Sequence, residues 1–490
     1  VAAALAGAAS LAAGAGPAPG PVLTLAECFR IAVEKNERIG RAQEDFTQAV
    51  LLKRTALSNV LPRVTLEDTY YRQNAVDLPV PGGTGSAFSF ASDRNELLVK
   101  LKQPIFSGFR DQNFLAYSRS NIEAFHYGLE ESKRLLYASV AEAFYSALQR
   151  QGEVRTLEDS VEVERERLRE VQARQEVGLA RRTELLLVQS QLSDDEAKLT
   201  RARNDLQQAR EQLVFLMGMA LERPLQDDVT LPEALGDSPP PVEEALAQRS
   251  DMRQRAETVR AARRQVAVAR GEHFPTLELE ANRYLDRRNY STFQQETDWS
   301  AELTFTFPIF DGGRVRANVL TAYSKLQQAV LLHDELARQI GLELQNAWLT
   351  LQSDLARLKT LEASVASSDE NFRLLQEEYR GGLANNLEVM TAQNLLLSTS
   401  LDRERQKYQV GLDWIALQLA QGRLPGYQSA GVDLPAGVDI QAPEPTLSLE
   451  STEPLGPPAP GGEKSPEPAL QDRDADGTPP EPQAGGEINR

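Results

Sequence analysis

The sequence predicts a mainly α-helical protein with a transmembrane β part, built from two structural repeats that each carry a β-hairpin and a long coiled helical hairpin. Three observations predict it. Asp111 to Val177 contains no proline and little glycine. As one helix it would reach roughly 100 Å at ~1.5 Å per residue, a length that suits a coiled coil, a membrane span or a helical repeat rather than a globular core. Second, that stretch and its borders recur. Gln-Pro-Ile-Phe-Ser-Gly-Phe-Arg (Gln103–Arg110) returns as Phe-Pro-Ile-Phe-Asp-Gly-Gly-Arg (Phe307–Arg314), and Gly178-Leu179-Ala180 as Gly382-Leu383-Ala384. Glu184 returns as Glu388 and Gln189 as Gln393, every pair 204 residues apart, so the two hairpins are of equal length. Third, the segments ahead of each long helix alternate apolar and polar residues, the period of a strand.

In chain order, Val1–Gly20 is Ala/Gly-rich, and 1–22 reads as the remainder of an export signal or as a disordered leader. The first repeat spans 23–218. Thr24–Asn59 is expected to be one amphipathic helix, opened by a Thr24/Glu27 capping box and stopped by Pro62. Cys28 shares its apolar face with Leu25, Ile31 and Ala32, which favours a buried thiol. A lipid anchor would want a small residue where Glu27 stands. Strands follow at 63–73 and 94–103, separated by a Pro/Gly-rich loop (Asn74–Ser92), with Pro104 ending the second. Val64, Leu66 and Tyr70 share one face, and Leu97, Val99 and Leu101 another. Long helices are expected at 108–177 and 183–218. Residues 219–241 form a Pro/Gly-containing linker. The second repeat, 242–426, has a helix from Val242 to Gly271, strands at 276–285 and 298–307, and helices at 312–380 and 387–421. Its clearest strand places Trp299, Ala301, Leu303, Phe305 and Phe307 on one face. Residues 427–490 form an acidic, Pro-rich tail of low apolar content, expected to be disordered.

The helical arms carry a seven-residue repeat. Val140, Ala147, Val154, Val161 and Leu168 mark one arm, and Leu185, Leu192, Leu199, Leu206 and Leu213 its return. Leu344, Leu351, Leu358, Val365 and Phe372 mark the third arm; Leu387, Leu401, Tyr408 and Ile415, interrupted by Asn394, mark the fourth. Such a repeat keeps a seam against a partner helix. The long helices are too charged to cross lipid (Val163–Arg174 reads VERERLREVQAR). The alternating strands fit either an ordinary half-buried sheet or a transmembrane barrel. Four strands close no barrel, and lipid tolerates no open edge, so the membrane reading requires several chains.

Other classes are disfavoured. The net charge of −18 argues against nucleic acid, which needs clustered Lys and Arg. A single cysteine forbids an intrachain disulfide, and the three histidines are dispersed. No metal-ligand spacing, cofactor motif, phosphate loop or nucleophile constellation is present, so neither cofactor nor enzymatic activity is expected.

With the doubled strand-and-hairpin plan on the page, the chain resembles the TolC family of outer-membrane efflux proteins over about Leu23–Gly426. The resemblance is carried by the Leu23–Glu27 opening, the Pro-Ile-Phe-x-Gly-x-Arg junctions (Pro104–Arg110, Pro308–Arg314) and the Gly-Leu turns. It implies a homotrimeric α/β-barrel duct: four strands per chain in a twelve-stranded barrel in outer-membrane lipid, above a periplasmic helical tube. It implies a periplasmic adaptor (membrane fusion) protein and an inner-membrane transporter as partners, in a tripartite efflux or type I secretion system. Carried over residue by residue, the channel gate falls on Thr183, Glu184, Tyr379 and Glu388, and the adaptor-docking tips on Gly178, Leu179, Gly382 and Leu383. Glu184 and Glu388 are equally good first-turn residues for a helix N-terminus. The family pattern has a second acid where Thr391 stands and an arginine where Ala384 stands, which directs attention to Arg181, Arg182 and Arg380 as replacements. The rival readings are a periplasmic adaptor and a coiled-coil scaffold. The first has one hairpin, not two; the second leaves Trp299–Phe307 without a purpose.

Overall fold

The computed structural model describes residues 22–427, apart from 73–75, 80–85, 91–92, 222, 228, 230–234, 237 and 289–297. The leader, the acidic tail and most of the second hairpin loop lie outside the described residues. The first repeat runs α1 (Leu25–Lys35), α2 (Glu37–Ser58), β1 (Arg63–Arg72), β2 (Val76–Pro79), β3 (Ser86–Phe90), β4 (Asp93–Phe106), α3 (Arg110–Glu176) and α4 (Arg182–Met217). The second runs α5 (Val242–Gln248), α6 (Ser250–Gly271), β5 (Thr276–Arg288), β6 (Trp299–Thr306), α7 (Arg314–Arg380) and α8 (Asn386–Ala420).

The four long strands form one antiparallel sheet in the order β1-β4-β5-β6. Register puts like with like. Val64 and Leu66 pair with Leu101 and Val99, Leu101 with Ala281, and Leu277, Leu279 and Ala281 with Phe305, Leu303 and Ala301. One face of the sheet is therefore largely apolar, interrupted by Arg283 opposite Val99 and Gln103 opposite Leu279, and Val64, Leu66, Leu303 and Phe305 stand exposed on it. The opposite face is laced by ion pairs across strands: Lys100–Glu67 at 2.8 Å, Lys102–Glu278 at 2.7 Å and Arg287–Glu96 at 2.7 Å. The outer edges of β1 and β6 pair with no other described strand.

Each long strand runs into, or out of, a helix, and the helices keep the strand order: α2 packs on α3, α3 on α6, and α6 on α7. Below them α3 folds back on α4 and α7 on α8, while α3 also packs along α8 and so joins the two hairpins. The equal arms expected from the repeat are present: α3 and α7 have 67 residues each, or ~100 Å. Most of the expected seam is buried, including Val140, Ala147, Val154 and Val161 on α3 and Leu344 and Leu351 on α7. Leu387, counted into the fourth seam, is instead exposed at the tip.

Four local expectations need correction. The helix over Thr24–Asn59 is two helices, because Asn36 leaves helical geometry and its carboxamide oxygen accepts from Arg38 N–H at 2.9 Å while its nitrogen donates to Leu216 O at 3.0 Å. The helix over Val242–Gly271 likewise breaks at Arg249, whose buried guanidinium is held by Asp251 and Glu343. The Asn74–Ser92 loop contains the short antiparallel pair β2–β3, a hairpin reach that the Pro/Gly composition of the segment obscured. Finally, β4 continues past Pro104 to Phe106, with the register shifting there because proline supplies no ladder N–H.

The main core lies midway along the hairpins. Phe29 packs edge-on against Tyr137 and Tyr427, both at 4.9 Å, and Tyr137 Oη donates to Pro425 O at 2.8 Å. Cys28 is fully buried in this core. No helix among the described residues is long and apolar enough to cross a membrane.

Candidate gate and docking tips

The two hairpin ends are built alike. At the first, Gly178 takes φ 78°, Leu179 N–H donates to Arg174 O at 2.8 Å, and Gly178 N–H donates to Gln175 O at 3.1 Å. At the second, Gly382 also takes φ 78°, with Leu383 N–H to Glu378 O at 2.8 Å and Gly382 N–H to Tyr379 O at 3.1 Å. These are Schellman closures, whose left-handed residue is glycine because a Cβ there is strained. The closure leaves the next side chain nothing to pack on: Leu179 is 77% exposed and Leu383 85%. All four residues assigned to docking therefore sit at the free ends of the hairpins.

The gate residues separate. Thr183 is exposed and Glu184 half-buried, both in the first turn of α4. Glu388 is exposed and completes a capping box: its carboxylate accepts Asn385 N–H at 2.9 Å, and Asn385 Oδ1 accepts Glu388 N–H at 3.0 Å. Tyr379 is buried, with the Arg174 guanidinium 4.6 Å from its ring centre. Arg174 also donates to the carbonyls of Tyr379 and Arg380, at 3.3 and 3.4 Å. Burial raises the Tyr379 phenol above its ordinary value, and the nearby Glu184 charge adds to this while Arg174 opposes it. Arg181, Arg182 and Arg380 are exposed; the arginine that crosses between the hairpins at the tip is Arg174.

Above the tip lies a cluster that the motifs did not reveal. Arg167 of α3 is 7% exposed and donates to Gln393 Oε1 at 3.0 Å, Asn386 O at 3.0 Å and Asn386 Oδ1 at 2.8 Å, all on α8. One turn up, Glu164 is 1% exposed, as is Asp195 of α4. Burial pushes the Glu164 carboxyl up to about 7; Arg167 opposes this and Asp195 adds to it. Asp195 is held by Lys198 at 2.9 Å and Gln191 at 3.2 Å, and Gln191 also reaches Asn394 at 3.2 Å. Asn394, the interruption in the fourth seam, is thus a crossing point between hairpins. A signal was present in the sequence: Glu164 follows Val161 by three and Asp195 follows Leu192 by three, places where a heptad calls for an apolar side chain.

Higher still, the α3–α8 seam is tied twice more. Glu153, buried, takes Arg405 of α8 at 2.8 Å and Arg150 at 2.8 Å. Burial would raise its pKa, but Arg405, Gln149 and Arg150 outweigh it and hold the carboxyl below its ordinary value. A Cβ at Gly411 would stand 2.6 Å from the Tyr145 ring, so this crossing tolerates only glycine without a shift. Among the described residues no His/Cys/Asp/Glu group could hold a metal ion.

The class defined by this geometry is a two-faced four-stranded antiparallel sheet continued by a long helical extension. The outer membrane efflux protein family matches over residues 41–219 and 242–423, one segment in each repeat. The chain belongs to that family: it is a TolC-type outer-membrane channel with a periplasmic helical extension, a transporter and not an enzyme. Among relatives, the outer membrane efflux protein BepC of Brucella suis is 25% identical over 336 residues, covering 67% of this chain and 72% of that protein. The alkaline protease secretion protein AprF of Pseudomonas aeruginosa is 23% identical over 417 residues, covering 82% and 85%. Among solved structures, the outer membrane protein VceC of Vibrio cholerae shares the fold with a TM-score of 0.69 at 18% identity, covering 81% of this chain and 96% of that one. Membership removes the adaptor and scaffold readings.

Proposed function

We propose that three copies of this chain form a passive exit duct that takes cargo from an inner-membrane transporter, through a periplasmic adaptor, across the outer membrane. The observation that carries the reading is the amphipathic four-stranded sheet whose two edges pair with no other described strand, set above helical hairpins of matched length. Two copies would give about eight strands, a barrel whose interior side chains fill; three copies leave a water-filled passage. Matched arms end at one depth, where Leu179 and Leu383 offer exposed apolar tips to the adaptor. Tyr379 with Arg174, and Arg167 with Asn386 and Gln393, hold the two hairpins together there. Glu184 and Glu388 set the charge at the mouth. The capping box already engages Glu388, so Glu184 is the freer carboxylate. Relatives named for efflux and for protease secretion support either setting for the duct.

The test is the mass of the detergent-extracted protein and its conductance in planar bilayers. A three-chain assembly forming water-filled pores is expected. A single-chain mass without conductance overturns the reading.

A further inference from the structure

We infer that a groove along α8, walled by α3 and α7, binds a small organic cation that carries an apolar body and a hydrogen-bond acceptor. The site goes beyond the duct reading, because one chain supplies all of it whatever number of copies assemble. The groove encloses about 510 Å³, within the ~300–1,000 Å³ of small-molecule sites.

Each helix gives the groove one face. On α7, Glu362, Val365, Asp369 and Phe372 follow at steps of three and four, which makes a single stripe. Val163 lies on the α3 wall and Leu396 on the α8 floor. Val365 and Phe372 belong to the third seven-residue seam yet are only half-buried; here they line an open groove and not a closed seam. The rim is acidic, with Asp159, Glu362 and Asp369 all exposed. The cations nearby are engaged: Arg403 lies 2.6 Å from Glu404, and Arg373 lies 2.7 Å from Glu370. The rim therefore keeps a net negative charge, which favours a positive ligand.

Two polar groups set in the groove define what else the ligand carries. Gln393 of α8 is 5% exposed. Its Oε1 accepts from Arg167 at 3.0 Å, which fixes the amide and leaves Nε2 as the end turned from Arg167. That Nε2 is buried without a hydrogen-bond partner, and so is Ser160 Oγ of α3. Both residues line the groove. Buried polar groups are ordinarily satisfied, and an amide nitrogen can only donate. A ligand with a carbonyl, ether or sulfonyl oxygen supplies the acceptor. A purely apolar ligand would leave Nε2 unmet, and an anion would meet the acidic rim. A covering helix would have its own carbonyls engaged internally, so a small molecule fits the groove better than a partner helix.

The probe is dansylcadaverine, which has an aromatic body, sulfonyl oxygens and one ammonium. Dansylglycine, with the same fluorophore and a carboxylate, is its counterpart. Fluorescence titration of the full-length, detergent-extracted protein should show saturable binding of dansylcadaverine, one per chain, and none of dansylglycine. Neutralising the rim with Asp159→Asn, Glu362→Gln and Asp369→Asn together should weaken binding about tenfold. Leu396→Trp, which fills the groove, should abolish it. Glu335→Gln removes an exposed acid ~40 Å further up α7 and should leave binding unchanged. Absence of saturable binding, as when a second copy or a partner helix covers the groove, overturns the assignment. Equal binding of both dyes, or undiminished binding by the rim or Leu396→Trp variant with helical circular dichroism retained, overturns it as well. The three-chain mass and conductance are measured apart from these titrations, so the site and the duct can each fail alone.

Discussion

Glu164 places a buried carboxyl in a coiled seam, 1% exposed. Its carboxyl is held near 7, above the ordinary 4.5, first by burial, so the packed hairpins retain a proton that the opened helices release. The stabilisation is complete below the ordinary value and is lost as pH rises through about 7. The effect is on the order of 1–3 kcal/mol. Hydrogen exchange in the tip helices of wild type should therefore lose protection between pH 5 and 8, beyond the intrinsic rate change, and Glu164→Gln should remove that loss. Equal pH dependence in both proteins would count against it. Arg167→Ala removes three hydrogen bonds and strands Asn386 and Gln393. It should cost about 1–3 kcal/mol of tip stability and raise the open fraction in single-channel records, whereas an unchanged open fraction would deny Arg167 a part in closure. The sequence displayed Glu164 and Asp195 only as apolar places wrongly filled. Their partners lie on another helix, and Arg167 meets Asn386 across 219 residues, a distance that no local spacing encodes.

The strand is the element whose two faces differ most. Leu303 lies on the apolar face and is 62% exposed, next to Thr304 on the other. Leu303→Arg should cost about 2–4 kcal/mol where the face meets lipid and reduce the protein recovered in the outer-membrane fraction. Thr304→Arg points to the polar side and should be recovered at wild-type yield. Equal recovery would mean that neither face meets lipid. This alternation was legible from period-two patterning alone. The breaks at Asn36 and Arg249 were not, because amphipathic periodicity runs straight through both. Each residue stops its helix by bonding to a distant element, Leu216 for Asn36 and Glu343 for Arg249.

At the scale of the whole molecule, the proposed three-copy duct would gather two tips per chain into a ring, and charge at such a ring acts on ions entering it. Alanine at both Glu184 and Glu388 should relieve blockade of planar-bilayer conductance by multivalent cations. Since Glu388 serves as a cap, the single Glu184→Ala change should account for most of the relief. Blockade unchanged in the double variant would remove these carboxylates from the conducting path.

The sequence by itself determined the doubled plan, the matched reach of the arms, the glycine turns and the two-faced strands. Each is written in a periodicity or an offset that survives without knowing any contact. Only the tertiary structure decided which arms touch. It set α3 against α8, so that Arg167, Glu153 and Tyr145 meet residues more than 200 positions away. It laid Arg174 across the two hairpins at the tip, and it left Ile309 and Phe310 uncovered. Side-chain periodicity specifies which face of a helix is buried, but the neighbour that buries it is selected by packing across the whole chain.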